Sequence, residues 1–177
     1  DPDSFYNRSI AADLRYSTAP VVMTAVTSLL GTLYLFISAY DVISAASTLA
    51  LVFWLVSLVA VPVGTIFSWG INALAIYGLS RLLLEESQPF KTVLCCVGWG
   101  YVPQAVAALM NSILVFYVAS TATFPDSIQQ LGPFINELNS GPGFTALSVA
   151  SIMFTVWSGF IWTIGIKNVQ SVTVKRA

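Results

Sequence analysis

Few side chains in this sequence could carry acid–base, nucleophilic or metal chemistry, and their spacing brings none of them together. His is absent from the 177 residues, which removes the commonest general base and the commonest metal ligand. A Ser-His-Asp or Cys-His set is therefore impossible, as is a zinc site of ordinary type. Glu85 and Glu86 are adjacent and diverge on a helix instead of converging on a substrate, while Arg81, four residues before Glu85, suits a solvated helix end. Cys95 and Cys96 are the only cysteines; side by side, they read as two small buried hydrophobes and form no disulfide framework. The stretch "GWGYVP" lacks the Lys of a phosphate-binding loop and is not preceded by a strand. No catalytic group, cofactor site or metal site is expected, and enzyme activity is not expected either.

What remains is neutral polarity set in apolar sequence. Asn72, Gln104 and Asn111 lie inside apolar runs, where a side-chain amide either bonds across to a neighbouring helix or lines a path. Asn72 and Asn111 read first as packing glue. Gln104 comes directly after Pro103, and a proline break in a membrane helix releases backbone carbonyls that a pore could use. No Asp, Glu, Lys or Arg sits deep in an apolar run, which argues against a proton relay or a carrier of charged substrates. Gly98 and Gly100 permit close helix approach, and Pro103 bends the helix that contains them. Gly98, Trp99, Gly100, Tyr101 and Pro103 thus predict a bent helix bearing a small-residue notch. Such a notch can be a packing seat, a partner or binding groove, or a constriction.

Composition dictates the kind of scaffold that holds these residues. Hydrophobic residues make up 56% of the chain and charged ones 8%, with a mean hydropathy of +0.81, whereas soluble domains carry about 25% charged residues. The surrounding solvent is lipid: the fold class is an all-α, polytopic transmembrane helical bundle, partnered by the bilayer. A net charge of −1 gives no attraction to nucleic acid.

Residues 1–19 form a polar arm, and the chain begins without Met, a few residues inside the expected gene product. Pro20 opens a charge-free run to Tyr40, roughly 31 Å of helix and one bilayer core. Between Asp41 and Arg81 no charge occurs. As one helix that run reaches roughly 58 Å against a core of about 30 Å, so it is either two short spans around Pro62 and Gly64 or one long helix bent at Pro62. Positive charge decides, because Lys and Arg favour the cytoplasmic side. One crossing places Arg8, Arg15, Arg81, Lys91, Lys167, Lys175 and Arg176 together inside, opposite Asp41, Asp126 and Glu137. Four spans result, at about 20–40, 48–80, 93–119 and 144–166, with residues 20–177 as one transmembrane domain and the N-terminus cytoplasmic. Between the last two spans, within the external segment 120–143, Ile128, Leu131, Ile135 and Leu138 recur at helical spacing. They predict an interfacial amphipathic face on the outer surface, interrupted at Gly132-Pro133, or else an ordinary loop.

The stretch "RLLLEESQPFKTVLCCVGWGYVPQ" resembles the signature of the Yip1 domain family. The resemblance rests on Leu79 to Leu84, Phe90, Lys91, Gly98, Trp99, Gly100, Tyr101 and Pro103. A later Trp157-Ser158 opening, the helix end at Gly165, and the "DPDSFYNR" and "APVVMTAV" segments extend it over nearly the whole chain. Glu85, Glu86, Ser87 and Gln88 stand where most members have a glycine-rich turn. The resemblance implies five spans with a cytoplasmic N-terminus, hence an expected further helix beyond Ala177. It implies Rab-type GTPase partners for eukaryotic relatives. Those partners are tied to a long cytosolic N-terminal region and are not carried over to a chain with a short arm.

Three functions are expected from this. The first is a non-enzymatic scaffold or adaptor that pairs through its helices with another membrane protein or as a homo-oligomer. The second is a small channel or transporter with a path at the Pro103 break. The third is a membrane-shaping or lipid-handling protein that uses the amphipathic segment. The expected location is the plasma membrane for a prokaryotic source and the Golgi or endoplasmic reticulum otherwise.

Overall fold

The computed structural model describes residues 13–83, 89–125 and 127–170; Arg8, Glu85, Glu86, Asp126, Lys175 and Arg176 lie outside them. Seven helices succeed one another among the described residues: α1 Leu14–Ser38, α2 Tyr40–Ala46, α3 Thr48–Leu83, α4 Phe90–Trp99, α5 Val102–Thr121, α6 Ile128–Ser140 and α7 Pro142–Gln170. Of these α1, α3, α5 and α7 are long and apolar enough to cross a membrane. Among the described residues the fold is the all-α polytopic bundle of four spans expected from sequence.

Helix α1 starts before Pro20. Asp13 caps it by accepting from the Arg15 N–H at 2.9 Å, so Pro20 sits inside the helix and part of the polar arm is helical. Helix α3 runs unbroken through Pro62, one crossing and not two. At about 1.5 Å per residue it spans roughly 54 Å, well beyond a bilayer core of about 30 Å.

The third span departs from the expected bent helix: it is two helices. The Gly100 N–H donates to the Cys96 carbonyl at 3.3 Å, and the Tyr101 N–H reaches back only three residues, to the Gly98 carbonyl at 3.0 Å. That tight turn ends α4. Pro103 then lies in the first turn of α5, where a missing N–H costs nothing because early helical donors have no intrahelical partner. Proline therefore opens a helix here instead of kinking one.

Helix order alternates in direction. Phe90 of α4 meets Tyr77 of α3, ring centroids 5.5 Å apart, and Leu94 meets Trp69, so α4 runs antiparallel to α3. Tyr34 stacks on Phe116 at 4.0 Å, and the Ser112 hydroxyl donates to the Thr27 carbonyl at 2.7 Å beside Gly31, so α5 runs alongside α1. One end of the bundle thus gathers Arg15, Arg81, Lys91 and Lys167, while Asp41 and Glu137 lie at the other.

Each end has its own apolar core. At the basic end Val21, Ala73, Val93, Val97 and Tyr101 are buried together, covered by Trp69, Tyr77 and Trp162. At the acidic end Ala39, Ile43 and Leu131 are buried beneath Phe36, Trp54, Phe124 and Phe134. The second core corrects the reading of residues 128–138. Helix α6 is continuous through Pro133, and Leu131, with Ile135 packed beside it, faces the bundle's own end and not a lipid surface. Leu138 is half-buried and the side chain of Ile128 lies outside the described residues.

Candidate functional site

The Gly98–Pro103 notch is filled from within the chain. A Cβ on Gly98 would run into the Ser17 carbonyl, with the Ser17 carbonyl carbon at 3.0 Å, and one on Gly100 would overlap the Trp162 indole. Helices α1 and α7 therefore occupy the seat that the glycines create. The break supplies the reason for Trp162. Tyr101 turns its N–H to Gly98, which removes the regular helical donor of the Val97 carbonyl, and the Trp162 indole N–H donates there at 3.1 Å. Trp69 donates in the same way to the Leu94 carbonyl at 3.1 Å. The notch seats Ser17 and Trp162 of the chain itself, and Tyr101 and Pro103 are buried in it.

Beside the notch an open cleft lies between α3 and α7, which make no substantial contact with each other. Its volume is about 700 Å³, within the roughly 300–1,000 Å³ of small-molecule sites. Thr24 enters from α1, Gly64, Thr65, Ser68 and Asn72 from α3, Gln104 from α5 and Thr155 from α7. Asn72 and Gln104, two of the three polar residues singled out from sequence, thus meet in one space. Asn111 does not join them; it is exposed elsewhere on α5. Within the cleft the Asn72 amide and the Tyr101 hydroxyl both donate to the Ser68 hydroxyl, at 3.4 and 3.3 Å. The Gln104 amide donates to the hydroxyls of Thr155 and the buried Ser158, at 3.4 and 3.3 Å. All four contacts are long for hydrogen bonds.

Sequence reasoning misses the hydroxyls of Thr24, Thr65, Ser68 and Thr155. A signal exists: Ser68 and Asn72 are four apart, as are Ser151 and Thr155, with Ser158 three further on. Each row marks one helix face.

The third feature is the outward face of α3. Val52, Val56, Val59 and Val63 each expose more than half their surface, and they line a shallow groove made by α3 alone. Their alternating four- and three-residue spacing is that of a coiled-coil seam. In the most apolar stretch of this helix no residue is buried by the other described residues.

Comparison with known proteins adds the family. A family model, the Yip1 domain, matches residues 1–177, the whole chain. No curated protein and no solved structure matches the chain.

Proposed function

This chain belongs to the Yip1 domain family, and we propose that it is a non-enzymatic integral membrane adaptor that works by lateral helix pairing with another membrane protein or a second copy of itself. One observation carries the proposal: the longest described helix presents a four-valine seam, Val52, Val56, Val59 and Val63, that no other described residue covers. Lipid tails are as apolar as valine, so burial gives no driving force between membrane helices; close, regular packing does. β-Branched side chains hold essentially one χ1 rotamer on a helix and lose little entropy when a partner packs on them. The glycine notch, filled by Ser17 and Trp162, offers no such surface. The orientation belongs to the same proposal: the basic end, with Arg15, Arg81, Lys91 and Lys167, faces the cytoplasm, so the N-terminus is cytoplasmic and, in a prokaryotic cell, the membrane is the plasma membrane.

Photo-crosslinking residues in place of Val56 or Val63, in native membranes, test this. A discrete protein adduct is expected at both, and none at Ile152 or Phe160, which are exposed on α7. Adducts with lipid alone at all four positions would sink the adaptor reading.

A further inference from the structure

The cleft between α3 and α7 meets the valine groove at Ala60 but presents different side chains, and it raises a problem that the seam does not. It places a cluster of uncharged polar groups in a bundle surrounded by hydrocarbon, and a polar group left without a partner there is costly.

The lining is richer in acceptors than in donors. The hydroxyl protons of Thr24, Thr65 and Thr155 are already committed to carbonyls of their own helices, at 2.8, 3.0 and 2.9 Å. The Gln104 amide lies 3.4 and 3.3 Å from two hydroxyl oxygens, and the Asn72 amide directs one of its two N–H groups at Ser68. What faces the open space is mostly oxygen: the hydroxyl lone pairs and the amide oxygens of Asn72 and Gln104, which accept nothing from any described residue, outnumber the second Asn72 N–H and the Ser68 hydroxyl proton. None of the lining residues is Asp, Glu, Lys or Arg. An oxygen-rich site without a cation disfavours a phosphate or carboxylate, which brings only more acceptors. It favours a group that donates hydrogen bonds and bears no charge. The walls beyond the polar cluster are apolar, with Ala60 and Val61 on α3 and Trp162 on α7, and no substantial α3–α7 contact closes the cleft between them.

We propose that this cleft binds an uncharged amphiphile whose head carries free hydroxyl or amide donors, entering sideways from the bilayer with its head on Asn72, Gln104 and the threonine oxygens. A hydroxyl-bearing neutral glyceride has this chemistry. The site is independent of helix pairing at the valine seam, and either can exist without the other.

The test uses the full chain in nanodiscs with a photoreactive dioleoylglycerol as probe, and the adducts are mapped by peptide mass spectrometry. Labelling is expected at the α3 and α7 walls of the cleft. Unlabelled dioleoylglycerol should compete. Triolein, which lacks the donor, and dioleoyl phosphatidic acid, which carries charge, should compete at least about tenfold less well, the equivalent of about one hydrogen bond to the head. Free glycerol should not compete, which separates a membrane amphiphile from a soluble polyol. Gly64→Leu fills the cleft and Gln104→Leu removes an acceptor, and both should cut labelling about tenfold. A Cβ at Gly64 meets nothing within 4 Å, so the new side chain starts in open space, and thermal unfolding in the same nanodiscs checks that the variant is folded. Gly70 is equally open but does not line the cleft, so Gly70→Leu should label as the parent does. Equal competition by triolein or phosphatidic acid, labelling that Gly64→Leu leaves unchanged, or a protein cross-linked across Gly64 in place of lipid would each overturn the proposal.

Discussion

At the scale of single residues, the glycines of this protein divide by what stands beside them. Gly98 faces backbone, the Ser17 carbonyl, and Gly100 faces an indole held by its own hydrogen bond to Val97, so neither neighbour gives way easily. Gly64 faces open space. Gly98→Ala should therefore lower stability by about 1–3 kcal/mol, the usual cost of overpacking. Gly64→Ala should be neutral or stabilising by about 0.5–1 kcal/mol, because Ala loses less backbone freedom in a helix. Thermal unfolding in one detergent compares the two; equal losses would mean that the notch is not closed by Ser17. Composition and spacing indicate small residues and a proline at 98–103, but not their neighbours. Close approach depends on where Ser17 and Trp162 arrive from, on α1 far upstream and α7 far downstream, and no local pattern encodes that.

Single elements are legible to the degree that charge and period constrain them. The absence of charge from Val42 to Ser80, with basic residues beyond it, indicates one long crossing, and α3 is one helix through Pro62. The Pro103 break is legible as a break but not as a new helix, because the turn that makes it one, Tyr101 back to Gly98, is a backbone choice. The face of α6 is legible as amphipathic, yet an apolar stripe is compatible with lipid and protein alike. Leu131 is 6% exposed against Ala39 and Ile43, so α6 is a cap docked on the bundle. Leu131→Ser should loosen that docking by about 2–4 kcal/mol and speed protease cleavage between Phe124 and Gly143, leaving the protein fully in the membrane fraction. Release of the variant from membranes would contradict a cap, and so would unchanged cleavage.

At the scale of the whole molecule, the bundle is tied at its two ends and open along one flank. Phe36 and Trp54 pack at the acidic end, 6.1 Å between ring centroids, and Trp69 and Tyr77 pack on α4 at the basic end. Between Trp54 and Trp69 α3 runs about 22 Å, most of a bilayer core, with the valine seam and the polar cleft on different sides of it. That arrangement assigns stability to the ends and leaves the middle of α3 for association. The decisive test is native mass spectrometry of the protein released from its own membranes, for the parent and for Val56→Trp with Val59→Trp. The parent should emerge in a discrete, stoichiometric complex with a second copy or another membrane protein. The double variant, whose new side chains point away from the bundle, should emerge folded and alone. A monomeric parent, or a complex that survives both tryptophans, would contradict lateral pairing through α3.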